Sequence, residues 1–157
     1  EETGLLYLHL AKTDENLPIV TLIDKLGIAH RVALDELPFL AQKRAEKLLP
    51  ILEGAHGKEA LSSLLQLIRT RCAKGVADRD PTLLKNFGFV EGKAVVIDLG
   101  SFSKDPFLKA PNRAKVELFY ETLPLRCLLT KKFPDLLPHF TSELNRMIDH
   151  KSSRPSD

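Results

Sequence analysis

Residues Gly88 to Gly100 constrain this chain more than any other stretch. Gly88-Phe89-Val90 and Ala94-Val95-Val96-Ile97 are short apolar runs separated by Glu91-Gly92, and that glycine accepts the positive φ of a tight hairpin bend. The second run leads straight into Asp98-Leu99-Gly100, so a carboxylate stands at the end of an apolar strand with a glycine two residues on. Upstream, Leu61, Leu64, Leu65, Leu67, Ile68 and Cys72 form a wide stripe at helical spacing, closed by Lys74-Gly75 as a basic end and glycine cap. An irregular loop with Asp78-Arg79-Asp80 and Lys85-Asn86 joins the two. Helix, acid-bearing loop, amide, hairpin and second acid follow in that order.

The flanking segments predict an α+β chain. Leu5 to Leu10 suits a buried strand, and Thr13-Asp14-Glu15-Asn16, closed by Pro18, reads as a loop. Ile19 to Ile23 and Ile28 to Leu34 form a hairpin around Asp24-Lys25-Leu26-Gly27. Asp35 and Pro38 then mark a helix start, with Leu40, Ala41, Ala45, Leu48 and Leu49 recurring until Pro50 stops the pattern. Beyond a loop with Pro106 and Pro111, a helix over Arg113 to Phe133 is kinked or split by Pro124, and Asp135 to Ile148 makes the last helix. The expected organisation is one domain or fragment over 1–150, β-rich over 1–35 and helical over 36–150, with a mobile tail at 151–157.

With 157 residues the chain matches the size of one domain, and 43% apolar with 28% charged content excludes a collagen, a disordered tail or a disulfide scaffold. A net charge of +2 gives no bulk attraction to nucleic acid or anionic membrane. No run approaches the roughly 18 apolar residues of a membrane span. Cys72 and Cys127 each sit among apolar neighbours at helical spacing and read as buried free thiols, which fits a reducing, cytoplasmic compartment. Entry at Glu1 without a methionine, straight toward Leu5 to Leu10, reads as a fragment of a longer protein. His9, His30, His56, His139 and His150 show no i, i+4 pairing for a metal. Lys43-Arg44, Lys47, Arg69, Arg71 and Lys131-Lys132 read as solvated positions, and Ser101 and Ser103 as loop hydroxyls.

Phosphoryl transfer from a nucleotide needs an aspartate to orient the acceptor hydroxyl, an asparagine and a second aspartate to hold magnesium, and a glycine after the metal ligand. In the order of these parts the chain resembles the catalytic lobe of protein kinases and kinase-like phosphotransferases, in particular bacterial members with an abbreviated pattern like Asp78-x-Asp80-Pro81 and Asn86-Phe87-Gly88-Phe89. The resemblance covers Leu61 to Leu99. It implies a mostly helical kinase-like C-terminal lobe with short β-hairpins and an incomplete N-terminal lobe. By the same resemblance Asp98 and Asn86 match the metal ligands, Gly100 matches the glycine of the Asp-Phe-Gly triplet, and Asp80 matches the catalytic aspartate, with Asp78 as the alternative. Mg2+ and ATP are the implied cofactors, and a protein partner or substrate the implied acceptor. The chain departs from the family in having no Gly-x-Gly-x-x-Gly, no strand lysine, no histidine before Asp78-Arg79-Asp80, one extra residue between Asp80 and Asn86, and no Ala-Pro-Glu. Two functional expectations follow: an atypical Mg-nucleotide-binding phosphotransferase, or a pseudokinase that serves as an interaction module.

Overall fold

In the computed structural model, residues 2–13 and 17–149 are described. The expectations for Asp14 to Asn16, His150 and the tail 151–157 lie outside them. The chain divides into two compact units, Gly4–Lys43 and a larger one made of Glu1–Thr3 with Arg44–Asp157.

The small unit holds two antiparallel pairs, β1 (Leu5–His9) with β4 (Phe39–Gln42) and β2 (Ile19–Ile23) with β3 (Ala29–Ala33). The β2–β3 hairpin runs in register from Ile19 opposite Ala33 to Ile23 opposite Ala29. Its bend works as the sequence predicts: Gly27 takes φ 81°, and Asp24 Oδ1 accepts from the amides of Leu26 and Ile28. The strand over Leu5 to Leu10 exists but is not buried, for only His9 is shielded while Leu5, Leu6, Leu8 and Leu10 stay exposed. His9 lies 5.3 Å from the Phe39 ring, with Nε2 3.1 Å from the Asp35 carbonyl.

The helix expected after Pro38 is absent. That segment forms β4 and β5 (Glu46–Lys47), since Leu40 and Ala41 find strand partners in Leu8 and Tyr7. A pattern with pairs of adjacent apolar residues satisfies a strand as readily as a helix, and the available strand decides. Pro50 opens a helix rather than ending one: it sits in the first turn of α1 (Leu48–Glu53), where its missing N–H is not needed.

In the larger unit, α2 (Gly57–Ala73) forms the centre of the core, with Leu61, Leu64, Leu65, Ile68 and Cys72 entirely buried. Gly75 closes it in the left-handed region at φ 71°, its amide 2.8 Å from the Cys72 carbonyl. Then come β6 (Val76–Asp78), the short α3 (Leu83–Asn86), β7 (Phe87–Val90) and β8 (Lys93–Val96). The β7–β8 turn has Glu91 at φ 52° and Gly92 at φ 75°, the two positive values of a type I′ bend. β5 adds to the free edge of β7, giving the antiparallel order β5-β7-β8.

Gly88 permits that close pairing, because a Cβ there would lie 2.7 Å from Ala45 Cβ and 2.8 Å from the Glu46 carbonyl. The expected loop after Gly100 contains β9 (Phe102–Lys104), antiparallel to β6, and a 3₁₀ turn over Pro106–Lys109. Helix α4 (Pro111–Lys132) runs unbroken through Pro124, so the expected split does not occur. It presses Leu118, Leu125 and Leu129 into the core, to which α5 (Leu137–Asp149) adds Phe140 and Leu144. Cys127 is exposed, against expectation, since it falls on the outer face of α4. No helix among the described residues is long and apolar enough to cross a membrane.

Candidate functional site

Everything at the site is organised by Asp78, the last residue of β6, whose carboxylate is fully buried. Its Oδ1 accepts from the Asp80 amide at 3.0 Å and from the Ser101 hydroxyl at 2.6 Å. One carboxylate oxygen thus ties the loop that follows β6 to the segment that follows Gly100. The pairing of β6 with β9 carries this further, with the Arg79 amide on the Ser101 carbonyl and Arg79 Nε on Ser103 Oγ at 3.0 Å. Ser101 and Ser103 are therefore structural partners of the loop.

Asp80 is exposed, and its Oδ1 accepts from the Thr82 hydroxyl at 2.7 Å. Its carbonyl receives the Thr82 amide at 2.7 Å and Asn86 Nδ2 at 2.8 Å. Asn86 is buried at the end of α3, with its amide nitrogen committed to that bond. The Asn86 carbonyl accepts from the Ile97 amide at 2.8 Å and, at a longer 3.5 Å, from the Asp98 amide. The backbone of Asn86 is thereby fixed directly to the start of the Asp98-Leu99-Gly100 triplet.

Asp98 is exposed, and its Oδ1 accepts from the Gly100 amide at 2.9 Å. A Cβ on Gly100 would stand 3.2 Å from that oxygen, a tight contact that glycine avoids; its φ is not positive. Leu99 packs against the core beneath. The structure thus brings Asp80, Asn86, Asp98 and Gly100 into one hydrogen-bonded assembly. Asp78 has both oxygens engaged and stands behind it.

Behind Asp78 lies a network that the sequence reading missed. Arg71, expected at a solvated position, is only 5% exposed. Its Nη1 lies 3.4 Å from Asp78 Oδ2, its Nη2 pairs closely with Glu121 Oε1 from α4, and its guanidinium carbon is 5.7 Å from the Phe102 ring centroid. Arg71 Nε and Glu121 Oε2 are buried without a hydrogen-bond partner among the described residues. Burial pushes the Glu121 carboxyl up to about 7 against the pull of Arg71, with repulsion from Glu117 and Asp78 adding to the rise. Burial likewise pushes up the neighbouring Cys72 thiol. The signal available in the sequence was position: Arg71 falls three residues after Ile68, within the apolar stripe of α2.

Magnesium takes hard oxygen ligands, tolerates one or two protein groups and completes its shell with water and phosphate. Asp98 Oδ2, which makes no hydrogen bond among the described residues, and the Asn86 amide oxygen are donors of that kind. No group of three or more His, Cys, Asp or Glu residues is placed to hold a metal among the described residues. An apolar cavity of about 320 Å³ between α1 and the β7–β8 hairpin, lined by Pro50, Ile51 and Phe89 with Glu46 and His56 as polar members, includes none of the site residues. No protein-family model, curated protein or solved structure matches the chain.

Proposed function

We propose that the larger unit is a kinase-like lobe that binds a magnesium-nucleotide, ATP, at Asn86 and Asp98 and transfers its terminal phosphoryl group to a hydroxyl on a protein or other acceptor. The observation that carries this reading is the Asn86 carbonyl accepting the amides of Ile97 and Asp98, which holds the two ligand-bearing residues side by side. Asp98 would coordinate through Oδ2 while Oδ1 remains on the Gly100 amide, and Asn86 through its amide oxygen. Bound magnesium supplies positive charge against the phosphate oxygens. Asp80, with Oδ1 held by Thr82, retains Oδ2 to orient the acceptor hydroxyl and receive its proton.

The test is thermal unfolding with and without millimolar Mg-ATP. A ligand present at about 100 times its Kd adds about 2.7 kcal/mol, a shift of several degrees. The wild-type chain is expected to show the shift and Asp98→Ala to lose it; Asp80→Asn is expected to keep it while losing phosphoryl transfer. A wild-type melting curve indifferent to Mg-ATP would overturn the proposal.

A second reading, a pseudokinase-like interaction module, draws on the same hydrogen bonds. Thr82 on Asp80 and Gly100 on Asp98 are also what turn-capping acids make. On that reading nucleotide leaves every variant's melting curve unchanged.

A further inference from the structure

Two buried carboxylates, Asp78 and Glu121, share a single guanidinium. One positive charge neutralises one of them, so with both ionised the cluster holds an excess negative charge away from water, which is costly. Glu121 has one oxygen against Arg71 and the other, Oε2, buried with no donor, so a proton on Oε2 removes that excess without breaking the bond to Arg71. Among the described residues, the other titratable groups that act on Glu121 are Cys72 from α2 and Glu117 from its own helix, and neither supplies a positive charge.

Mechanically the cluster is a chain of contacts: Glu121 on α4 holds Arg71 on α2, Arg71 holds Asp78, and Asp78 holds both the Asp80 amide and the Ser101 hydroxyl. We propose that Glu121, Arg71 and Asp78 form a proton-operated latch, through which protonation of Glu121 keeps the Asp78–Asp80 loop and the segment after Gly100 locked to α4. The latch does not rest on the nucleotide-binding reading, because none of its three residues is a proposed ligand.

The direction follows from charge. A carboxyl buried in the latched state holds its proton up to about pH 7, whereas in an open, hydrated state it returns to its ordinary value of 4.5. Latching is therefore strongest below that ordinary value, weakens as pH rises toward 7, and stays at its weaker level above.

Amide hydrogen exchange on the full chain tests it, using protection factors corrected for intrinsic rates at Arg79 and Asp80. Wild-type protection is expected to fall about tenfold for each unit between pH 5 and 7 and to level off above. In Glu121→Gln, which carries a neutral group in the same shape, protection should not follow pH in that window. Equal pH dependence in both proteins, or none in the wild type, would overturn the proposal. Should Glu121→Gln fail to fold, carbon-detected NMR titration of the wild-type glutamates decides the matter. One carboxyl titrating above about pH 6 is expected, and all of them titrating near 4 to 5 would refute the latch.

Discussion

At the scale of single residues, Gly88 gives the sharpest prediction. A methyl group there meets Ala45 Cβ and the Glu46 carbonyl, neither of which is the end of a flexible side chain. Gly88→Ala should cost about 1–3 kcal/mol and lower the melting temperature by several degrees, whereas Gly92→Ala meets no atom within 4 Å and costs only the strain of its positive φ. Comparing the two melting curves separates crowding from backbone strain. That Asn86, Asp98 and Gly100 come together was legible in the sequence, because they lie close along the chain and only a short hairpin separates them. Arg71 was not, because its partners lie 7 and 50 residues away and a single sequence does not reveal such pairings. Glu121 carried the same positional hint as Arg71, an acid three residues after Leu118 and four before Leu125 on the face α4 turns to the core.

At the scale of elements, the strong periodic signals held and the ambiguous ones yielded to available partners. α2 and the two glycine-turn hairpins formed where the pattern placed them, because each carries its own stop and turn chemistry. The Pro38 to Leu49 segment lacked that: no side chain caps the 3₁₀ turn at Leu34–Glu36, and β1 offered strand hydrogen bonds to Phe39–Gln42. Pro124 shows the converse, a breaker overridden by packing, since Thr122, Leu125 and Leu129 are buried on either side of it. Because Pro124 is exposed and contributes no amide to the helix, Pro124→Ala should raise the melting temperature, with propensity alone giving up to about 3 kcal/mol. Leu64→Ala on α2, at a side chain with no exposure, should cost about 2–5 kcal/mol in a denaturant titration.

At the scale of the whole molecule, the buried core cluster runs from Leu48 to Met147 and lies wholly in the larger unit. The small unit shields little beyond His9. A chain cut to 44–149 should therefore keep cooperative unfolding, while losing the hydrogen bond from the buried Val96 amide to the Glu2 carbonyl and an exposed Lys74–Glu2 ion pair that contributes less than about 1 kcal/mol. The segment 4–43 made alone should give the circular dichroism of an unfolded peptide, since so few residues with so small a core do not sustain a fold. The sequence placed a β-rich part before a helical one, but it set the change near residue 35; the pairing of β4 with β1 carries the small unit to Lys43. The same division distributes the chromophores. There is no tryptophan, and the two tyrosines fall one to each unit, Tyr7 on β1 and Tyr120 on α4 next to Glu121. Tyr7→Phe leaves a single tyrosine, so tyrosine fluorescence from the intact chain, excited beyond the phenylalanine absorption, reports the larger unit alone, from a position adjoining Glu121.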